Sequence, residues 1–143
     1  MQVNVRLSLP RDVATVSVTR QILRCAMTAL GVRREVREDL EVALSEACGN
    51  VVRHAVESDQ YEVSVGIEGD LCVIDVVDAG RGQDEASLRA ALPNPNAEQG
   101  RGLHLIHMLT ENVRMDAHPR RGMVMHFEKK LSWEKDAPGI RLN

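Results

Sequence analysis

Residues 61–78, YEVSVGIEGDLCVIDVVD, contain two apolar stretches separated by a short polar break. They predict strands at residues 61–67 and 71–77, joined by a tight turn at Gly69-Asp70. The second stretch is nearly all apolar, which indicates a strand that is central in its sheet and covered on one face. This hairpin therefore predicts the middle of a β-sheet.

Two amphipathic helices precede the hairpin. Residues 12–30 carry apolar side chains at helical spacing, and Gly31 follows where a C-terminal cap belongs. Residues 34–56 carry a second apolar stripe, and we expect the polar residues opposite it, Glu41 among them, to be solvated. Before both helices, residues 3–9 alternate between apolar and polar side chains, the pattern of a half-buried strand.

The chain after the hairpin begins with an irregular stretch at residues 83–99. The elements predicted in and after it are two short helices and two strands, at residues 85–92, 103–109, 113–117 and 123–131. The resulting order of elements departs from regular β-α alternation. It predicts an α/β (α+β) two-layer sandwich, in which a largely antiparallel sheet carries helices on one face.

Length and composition limit the number of domains and the kinds of partner. The 143 residues fit one domain, predicted at residues 1–131, and the polar residues 132–143 are expected to form a flexible C-terminal tail. A formal net charge of −3 and an aromatic content of 2% argue against nucleic-acid binding. We expect no membrane span, no leader peptide and a cytoplasmic protein. The three cysteines show no CxxC spacing and are expected to be reduced thiols.

A first candidate site lies on the second predicted helix. Glu46 and Asn50 are four residues apart, which places them about 40° apart around the helix axis and one turn apart along it. Arg53 lies on the same flank. On its own this pattern is compatible with a polar helix edge. It is equally compatible with a carboxylate that takes up a proton beside an amide oxygen that binds magnesium.

Two glycine-containing segments are further candidates, and each on its own is compatible with an ordinary turn. In DAGRG at residues 78–82, Gly80 and Gly82 let a ligand approach the backbone beside Asp78, whose carboxylate can accept a hydrogen bond from an exocyclic amine. GRGL at residues 100–103 leads into a predicted helix, where free backbone amides attract phosphate oxygens. It is not a Walker loop, because the sequence contains no GKS or GKT.

The three segments together are far more specific than any one of them. EACGNVVRHA at residues 46–55, DAGRG at 78–82 and GRGLHLI at 100–106 occur in the order of the N, G1 and G2 boxes of the GHKL, or histidine-kinase-like, ATPase superfamily, which they resemble. The ending RHA of the first segment is similar to the ending of this box in the anti-sigma-factor serine kinase branch. The resemblance covers about residues 3–131 and implies the Bergerat-type ATP-binding fold, with a mixed sheet.

The resemblance also implies ligands and residue roles. It implies ATP or ADP with Mg²⁺, with Glu46 as general base toward a serine hydroxyl, Asn50 as the magnesium ligand and Asp78 as the residue that recognises the adenine amine. Residues 83–99 would form a lid over the nucleotide. The other nucleotide contacts that it implies are Arg53, Gly80, Gly82, Gly100, Arg101, Gly102 and Leu103.

The partners implied by the resemblance are a sigma factor, an anti-anti-sigma protein of the STAS type and a second copy of the chain. Arg20 and Arg24 on the first helix would contact partner proteins, or they are two solvated arginines. Residues 88–99 contain no serine or threonine, which keeps open the alternative of a partner-switching module that binds ATP without kinase activity. The catalytic domain of a sensor histidine kinase is disfavoured, because the 143 residues leave no room for a dimerisation helix pair.

Overall fold

The protein has one five-stranded sheet with helices packed against it. The structure, a computed structural model, describes residues 1–54, 59–78, 101–118 and 122–142. In chain order the elements are β1 (Gln2–Pro10), α1 (Val13–Leu30), α2 (Arg34–His54), β2 (Gln60–Glu68), β3 (Leu71–Asp78), α3 (Arg101–Leu109), β4 (Glu111–His118), β5 (Gly122–Lys130) and α4 (Pro138–Arg141). The helix predicted at residues 85–92 lies outside the described residues.

The strand order is β1-β2-β3-β5-β4, and each neighbouring pair is antiparallel. The predicted α/β sandwich with a largely antiparallel sheet is confirmed, and the described strands include no parallel pair. The apolar segment β3 pairs with β2 on one side and β5 on the other, which is the central position predicted for it. β1 lies at one edge of the sheet and β4 at the other.

The ends of α1 are fixed by its own sequence. Asp12 caps the N-terminus, where its side chain accepts a hydrogen bond of 2.8 Å from the backbone N–H of Ala14. At the C-terminus Gly31 adopts a left-handed conformation with φ of 84° and donates to the carbonyls of Met27 and Thr28. The helix boundaries therefore agree closely with those that the sequence predicts.

The core lies between the sheet and the helices. The buried stripe of α2, which includes Leu40, Leu44 and Ala47, packs on the inner side chains of the sheet, among them Ile74 and Phe127, and all five are 0% exposed. Burial of this much apolar surface is the main stabilising term of the fold.

The three cysteines are free thiols, as expected. Cys25 is exposed on α1, whereas Cys48 and Cys72 are buried in the core. Burial raises the pKa of both buried thiols to about 12, because the thiolate would lose its hydration there. Cys48 and Cys72 are therefore packing residues at neutral pH. No described helix is long and apolar enough to cross a membrane.

The segment after β5 differs from the flexible tail expected for residues 132–143. Trp133 forms an isolated antiparallel bridge with Val32, and its Nε1 donates to Oδ1 of Asp70 over 2.8 Å. The backbone N–H of Glu134 donates to the carbonyl of Gly31 over 2.7 Å. The short helix α4 then packs its buried Gly139 against the Trp133 ring. The polar composition of the segment did not indicate the contacts of Trp133 or the packing of Gly139. Together these contacts dock the described part of the segment on the rest of the fold.

A charged cluster occupies the sheet face opposite the helices. His126 of β5 lies between two carboxylates, with Nδ1 2.8 Å from Oδ1 of Asp75 on β3 and Nε2 2.6 Å from Oε2 of Glu128. Ionised carboxylates only accept hydrogen bonds, so this arrangement favours a positively charged imidazole that donates from both ring nitrogens. Burial alone would lower the pKa of His126, but the hydrogen bonds to Glu128 and Asp75 outweigh burial and the nearby Arg114, and the pKa is raised.

The docking of the C-terminal segment can be tested at two glycines with positive φ. A Cβ at Gly31 would collide with Ala137, whereas a Cβ at Gly69, with φ of 60°, would meet nothing within 4 Å. Both alanine variants carry the left-handed backbone cost of about 1–2 kcal/mol. We expect Gly31→Ala to lower the free energy of unfolding by about 1–3 kcal/mol more than Gly69→Ala, from overpacking. Urea unfolding measures both, and equal losses would show that the segment is not docked.

The His126 cluster predicts a pH dependence of stability. A group whose pKa is raised on folding stabilises the protein fully below its unfolded pKa, about 6.5 for histidine, and loses that contribution as pH rises through the folded pKa. We expect the free energy of unfolding to fall above about pH 6.5, and to fall less in His126→Gln. Denaturant titrations across this range in both proteins measure the difference. Identical pH profiles would contradict a charged His126.

Candidate functional site

The helix α2 carries the first group of site residues on the flank of its buried stripe. Ala47 and Val51 anchor this part of the helix in the core. Glu46 lies on the side that faces α3, and Asn50 is one turn further along α2. Asn50 is only 5% exposed, and Glu46 is partly exposed. The helical spacing seen in the sequence therefore places one carboxylate and one buried amide a turn apart.

Glu46 lies against the first turn of α3. A Cβ at Gly102 would collide with Oε2 of Glu46, so the carboxylate occupies the space that any other side chain at this position would fill. Gly102 is itself buried. The unpaired amides and the dipole at a helix N-terminus favour negative charge. The structure thus brings Glu46 of the first segment to Gly102 of the third.

Asn50 has one amide atom engaged and one without a partner among the described residues. Its Oδ1 accepts a hydrogen bond of 3.1 Å from Nη2 of Arg53. Its Nδ2 is buried and has no hydrogen-bond partner in the part of the chain that the structure describes. An oxygen that already binds a cationic group is a suitable ligand for a hard metal ion. This donor set fits magnesium that arrives with phosphates, since Mg²⁺ takes few protein ligands.

The described residues contain no cluster of three or more His, Cys, Asp or Glu side chains that could hold a metal ion on its own. A metal at Asn50 would therefore complete its coordination with water and ligand oxygens.

Asp78 ends the central strand β3, directly opposite Tyr61 of β2. It is 4% exposed, which is unusual for an aspartate. α2 packs against this strand, and Asp78 is the last residue of the strand. Buried carboxylates require hydrogen-bond donors, and an exocyclic amine of a ligand is one such donor.

The remaining sequence-predicted residues are only partly covered by the structure. Gly80, Gly82, Gly100 and the lid at residues 83–99 lie outside the described residues. Arg101 begins α3, which starts two residues earlier than predicted, and Leu103 is half-buried on that helix.

Arg20 and Arg24 share a groove with Glu46. An open pocket of about 500 Å³ between α1 and α2 is lined by Arg20, Arg24, Glu38, Glu41, Val42, Ser45 and Glu46. Nε of Arg20 is buried and has no hydrogen-bond partner among the described residues. Sequence spacing gave no sign of this groove, because it joins residues of two helices.

Glu41 was expected to be solvated, and that expectation was wrong. Its side chain is only 10% exposed, and its Oε1 lies 2.6 Å from Nη2 of Arg24. Arg24 is therefore held across the groove by an ion pair, so it is not simply a solvated arginine. The pair of Arg24 and Glu41 is a feature that sequence reasoning missed, since two helices bring together residues without any local pattern.

Comparisons with known proteins show the family to which the chain belongs. The family of the histidine kinase-like ATPase domain matches residues 9–127. The serine-protein kinase RsbW of Bacillus subtilis (strain 168) is 30% identical over 142 residues, covering 92% of this chain and 88% of that protein. RsbW of Bacillus velezensis is 28% identical over the same shares of both chains, and RsbW of Bacillus cereus (strain Q1) is 27% identical over 121 residues, 78% of this chain and 76% of that protein.

A solved structure shows the same fold. The crystal structure of the RsbU and RsbW domains of Rv1364c from Mycobacterium tuberculosis superposes with a TM-score of 0.69 at 21% sequence identity. The match covers 92% of this chain and 33% of that longer one. The family match covers residues 9–127, and RsbW of Bacillus subtilis is 30% identical over 92% of this chain. The chain therefore belongs to the histidine kinase-like ATPase family and, within it, to the group of the serine-protein kinase RsbW.

Proposed function

We propose that the protein is an ATP-binding anti-sigma factor that sequesters a sigma factor and phosphorylates a serine of a STAS-type anti-anti-sigma protein. The observation that carries the proposal is the Glu46 carboxylate, held against the first turn of α3 at Gly102. A base and a phosphate-binding helix terminus are thereby adjacent. Family membership supports ATP as the phosphoryl donor.

Each residue of the site has a separate task in this proposal. The first turn of α3, at Arg101, Gly102 and Leu103, binds the phosphate chain of ATP together with Gly100, which precedes it in the sequence. Asp78 accepts a hydrogen bond from the adenine amine, beside Gly80 and Gly82. Asn50 holds magnesium, which, when bound, neutralises charge on the phosphates.

Glu46 acts on the acceptor protein. The serine oxygen forms a bond to the γ-phosphorus, the bond from that phosphorus to the β,γ-bridging oxygen breaks, and its electron pair leaves with ADP. The hydroxyl proton passes to the Glu46 carboxylate, which must lie within hydrogen-bond reach of that hydroxyl. The groove that Glu46 shares with Arg20 and Arg24 supports the entry of the acceptor protein from this side.

Two further features belong to the proposal. We place the protein in the cytoplasm, without nucleic-acid or membrane partners, and we propose a homodimer. The exposed edge of β1 and the apolar residues Val18 and Ile22, which are 47% and 38% exposed on α1, supply surface for a second copy.

A second candidate function is a partner-switching module that binds ATP without transferring phosphate. It is favoured by the sequence of the lid, since residues 88–99 contain no hydroxyl side chain that could reach a phosphate oxygen. Both candidates require nucleotide binding, and only the first requires the carboxylate of Glu46.

Glu46→Gln separates the two candidates. The amide keeps the size of the side chain but is not a base, so phosphorylation of the acceptor should fall by about 10²–10⁴-fold. Incubation with ATP, magnesium and candidate STAS proteins, followed by mass spectrometry for phosphoserine, measures the rate. Glu35→Gln, on the exposed first turn of the same helix, is the matched control. Equal rates in wild type and Glu46→Gln would place the base elsewhere, and a wild type that transfers nothing would favour the non-catalytic module.

Asp78→Asn tests the nucleotide pocket. An amide oxygen accepts a hydrogen bond less strongly than a carboxylate, and the loss of a charge-assisted bond of about 1.5–3 kcal/mol weakens ADP binding by roughly ten- to a hundredfold. Calorimetry with ADP and magnesium measures the affinity. The control is Asp75→Asn, which makes the same change on the opposite face of the same strand. Unchanged affinity in Asp78→Asn would remove Asp78 from the adenine site.

A further inference from the structure

The side chain of Arg53 turns back along α2 and covers the oxygen of Asn50. Its Nη2 donates to Oδ1 of Asn50 over 3.1 Å. The guanidinium lies over Gly49, where a Cβ would stand 3.1 Å from Nη1 and 3.6 Å from Cζ of Arg53. Glycine weakens a helix interior, and here its missing side chain leaves the room in which the guanidinium lies flat on the helix.

The atom that Arg53 occupies is the one atom of Asn50 that a metal ion can use. Hard cations bind the amide oxygen, whereas the amide nitrogen is only a donor. Asn50 is 5% exposed, so its oxygen has little access to water. The internal hydrogen bond from Arg53 therefore satisfies a buried acceptor.

A guanidinium and a divalent cation cannot share this oxygen at low cost. Arginine does not lose its proton in proteins, so its charge can leave the oxygen only if the side chain moves. Two neighbouring positive charges repel each other. Arg53 is exposed, so its guanidinium can turn into solvent without disturbing the core.

We propose that Arg53 competes with magnesium for Oδ1 of Asn50: its guanidinium occupies this oxygen and would have to leave it before magnesium could bind there with a nucleotide. The inference rests on the proposed function in one respect, the assignment of Asn50 as the magnesium ligand. Arg53 is then a positioning residue. Its hydrogen bond fixes the orientation of the Asn50 amide, and its occupancy of Oδ1 raises the magnesium concentration needed for nucleotide binding. It opposes the binding of magnesium nucleotide, in contrast to the phosphate contact that the sequence resemblance implies.

The two roles of Arg53 predict opposite signs for one measurement. Arg53→Met keeps the length of the side chain and removes its charge and its donors. Without the guanidinium, ADP should bind about three- to tenfold more tightly at saturating magnesium. This factor corresponds to the free energy of one hydrogen bond. The magnesium concentration for half-maximal ADP binding should fall by a similar factor. Calorimetry with ADP measures both, and ADP carries no phosphoryl group for transfer to an acceptor serine.

Three matched variants separate occupancy of the Asn50 oxygen from a general effect of positive charge on α2. Arg34→Met removes an arginine that is 77% exposed and paired with Glu38 on the same helix, and it should leave both quantities unchanged. Arg53→Lys retains the charge and a donor and should restore the wild-type magnesium requirement to within about twofold. Gly49→Ala retains Arg53 but places a Cβ 3.1 Å from its Nη1, so the guanidinium must shift by a few tenths of an ångström. Any change in the two quantities should therefore be smaller than that in Arg53→Met and have the same direction. Thermal unfolding without nucleotide verifies that each variant is folded.

Each remaining outcome counts against the inference. Weaker or equal ADP binding by Arg53→Met would show that the guanidinium holds phosphate or does nothing at Asn50. A shift in Gly49→Ala opposite to that in Arg53→Met would contradict occupancy of the oxygen as the cause. If neither wild type nor Arg53→Met binds ADP with magnesium, the nucleotide site of the proposed function is itself wrong, and so is the role proposed for Arg53.

Discussion

The close approach of α3 to the carboxylate of Glu46 is the constraint on which the site depends. α2 is fixed by its buried stripe, and α3 is fixed by Ile106, which is 0% exposed in the same core. Neither helix can withdraw without opening that core, so the space between them is set by packing. Only the absence of a side chain at Gly102 makes this space large enough for the carboxylate. The position of the Glu46 carboxylate relative to the first turn of α3 is thus a property of the hydrophobic core.

Much of the architecture could be predicted from the sequence because it is encoded locally. The apolar run at residues 71–77 predicted a central strand, and β3 has that position, since period and composition report directly which faces of a strand are covered. The capping signals of α1 placed its ends equally well. The three site segments were found because their order in the chain is specific. The contact of Glu46 with Gly102 itself required the structure, because a contact between two helices leaves no spacing in the sequence.

The features that sequence reasoning missed are long-range polar contacts. Glu41 was placed on the solvated side of α2, yet Arg24 of the neighbouring helix pairs with it. Residues 132–143 were expected to be flexible, yet Trp133 bonds to Asp70 in the β2–β3 turn. In both cases a polar or partly polar side chain forms a hydrogen bond or ion pair with a residue on a different element of the fold. Periodicity reports only which residues avoid water, and it carries no information about which charged or aromatic residue will meet them.

Glycines inside helices connect these observations. A glycine in a helix interior costs about 1 kcal/mol relative to alanine, so its presence there calls for a local reason. Gly49 leaves room for the guanidinium of Arg53, and Gly102 leaves room for the carboxylate of Glu46. Gly49 therefore reduces the stability of α2 where the guanidinium lies against it, and Gly102 lies in the first turn of α3. Departures from local preference are expected at functional sites. Each glycine thus marks a place in the candidate site where a charged side chain lies against a helix.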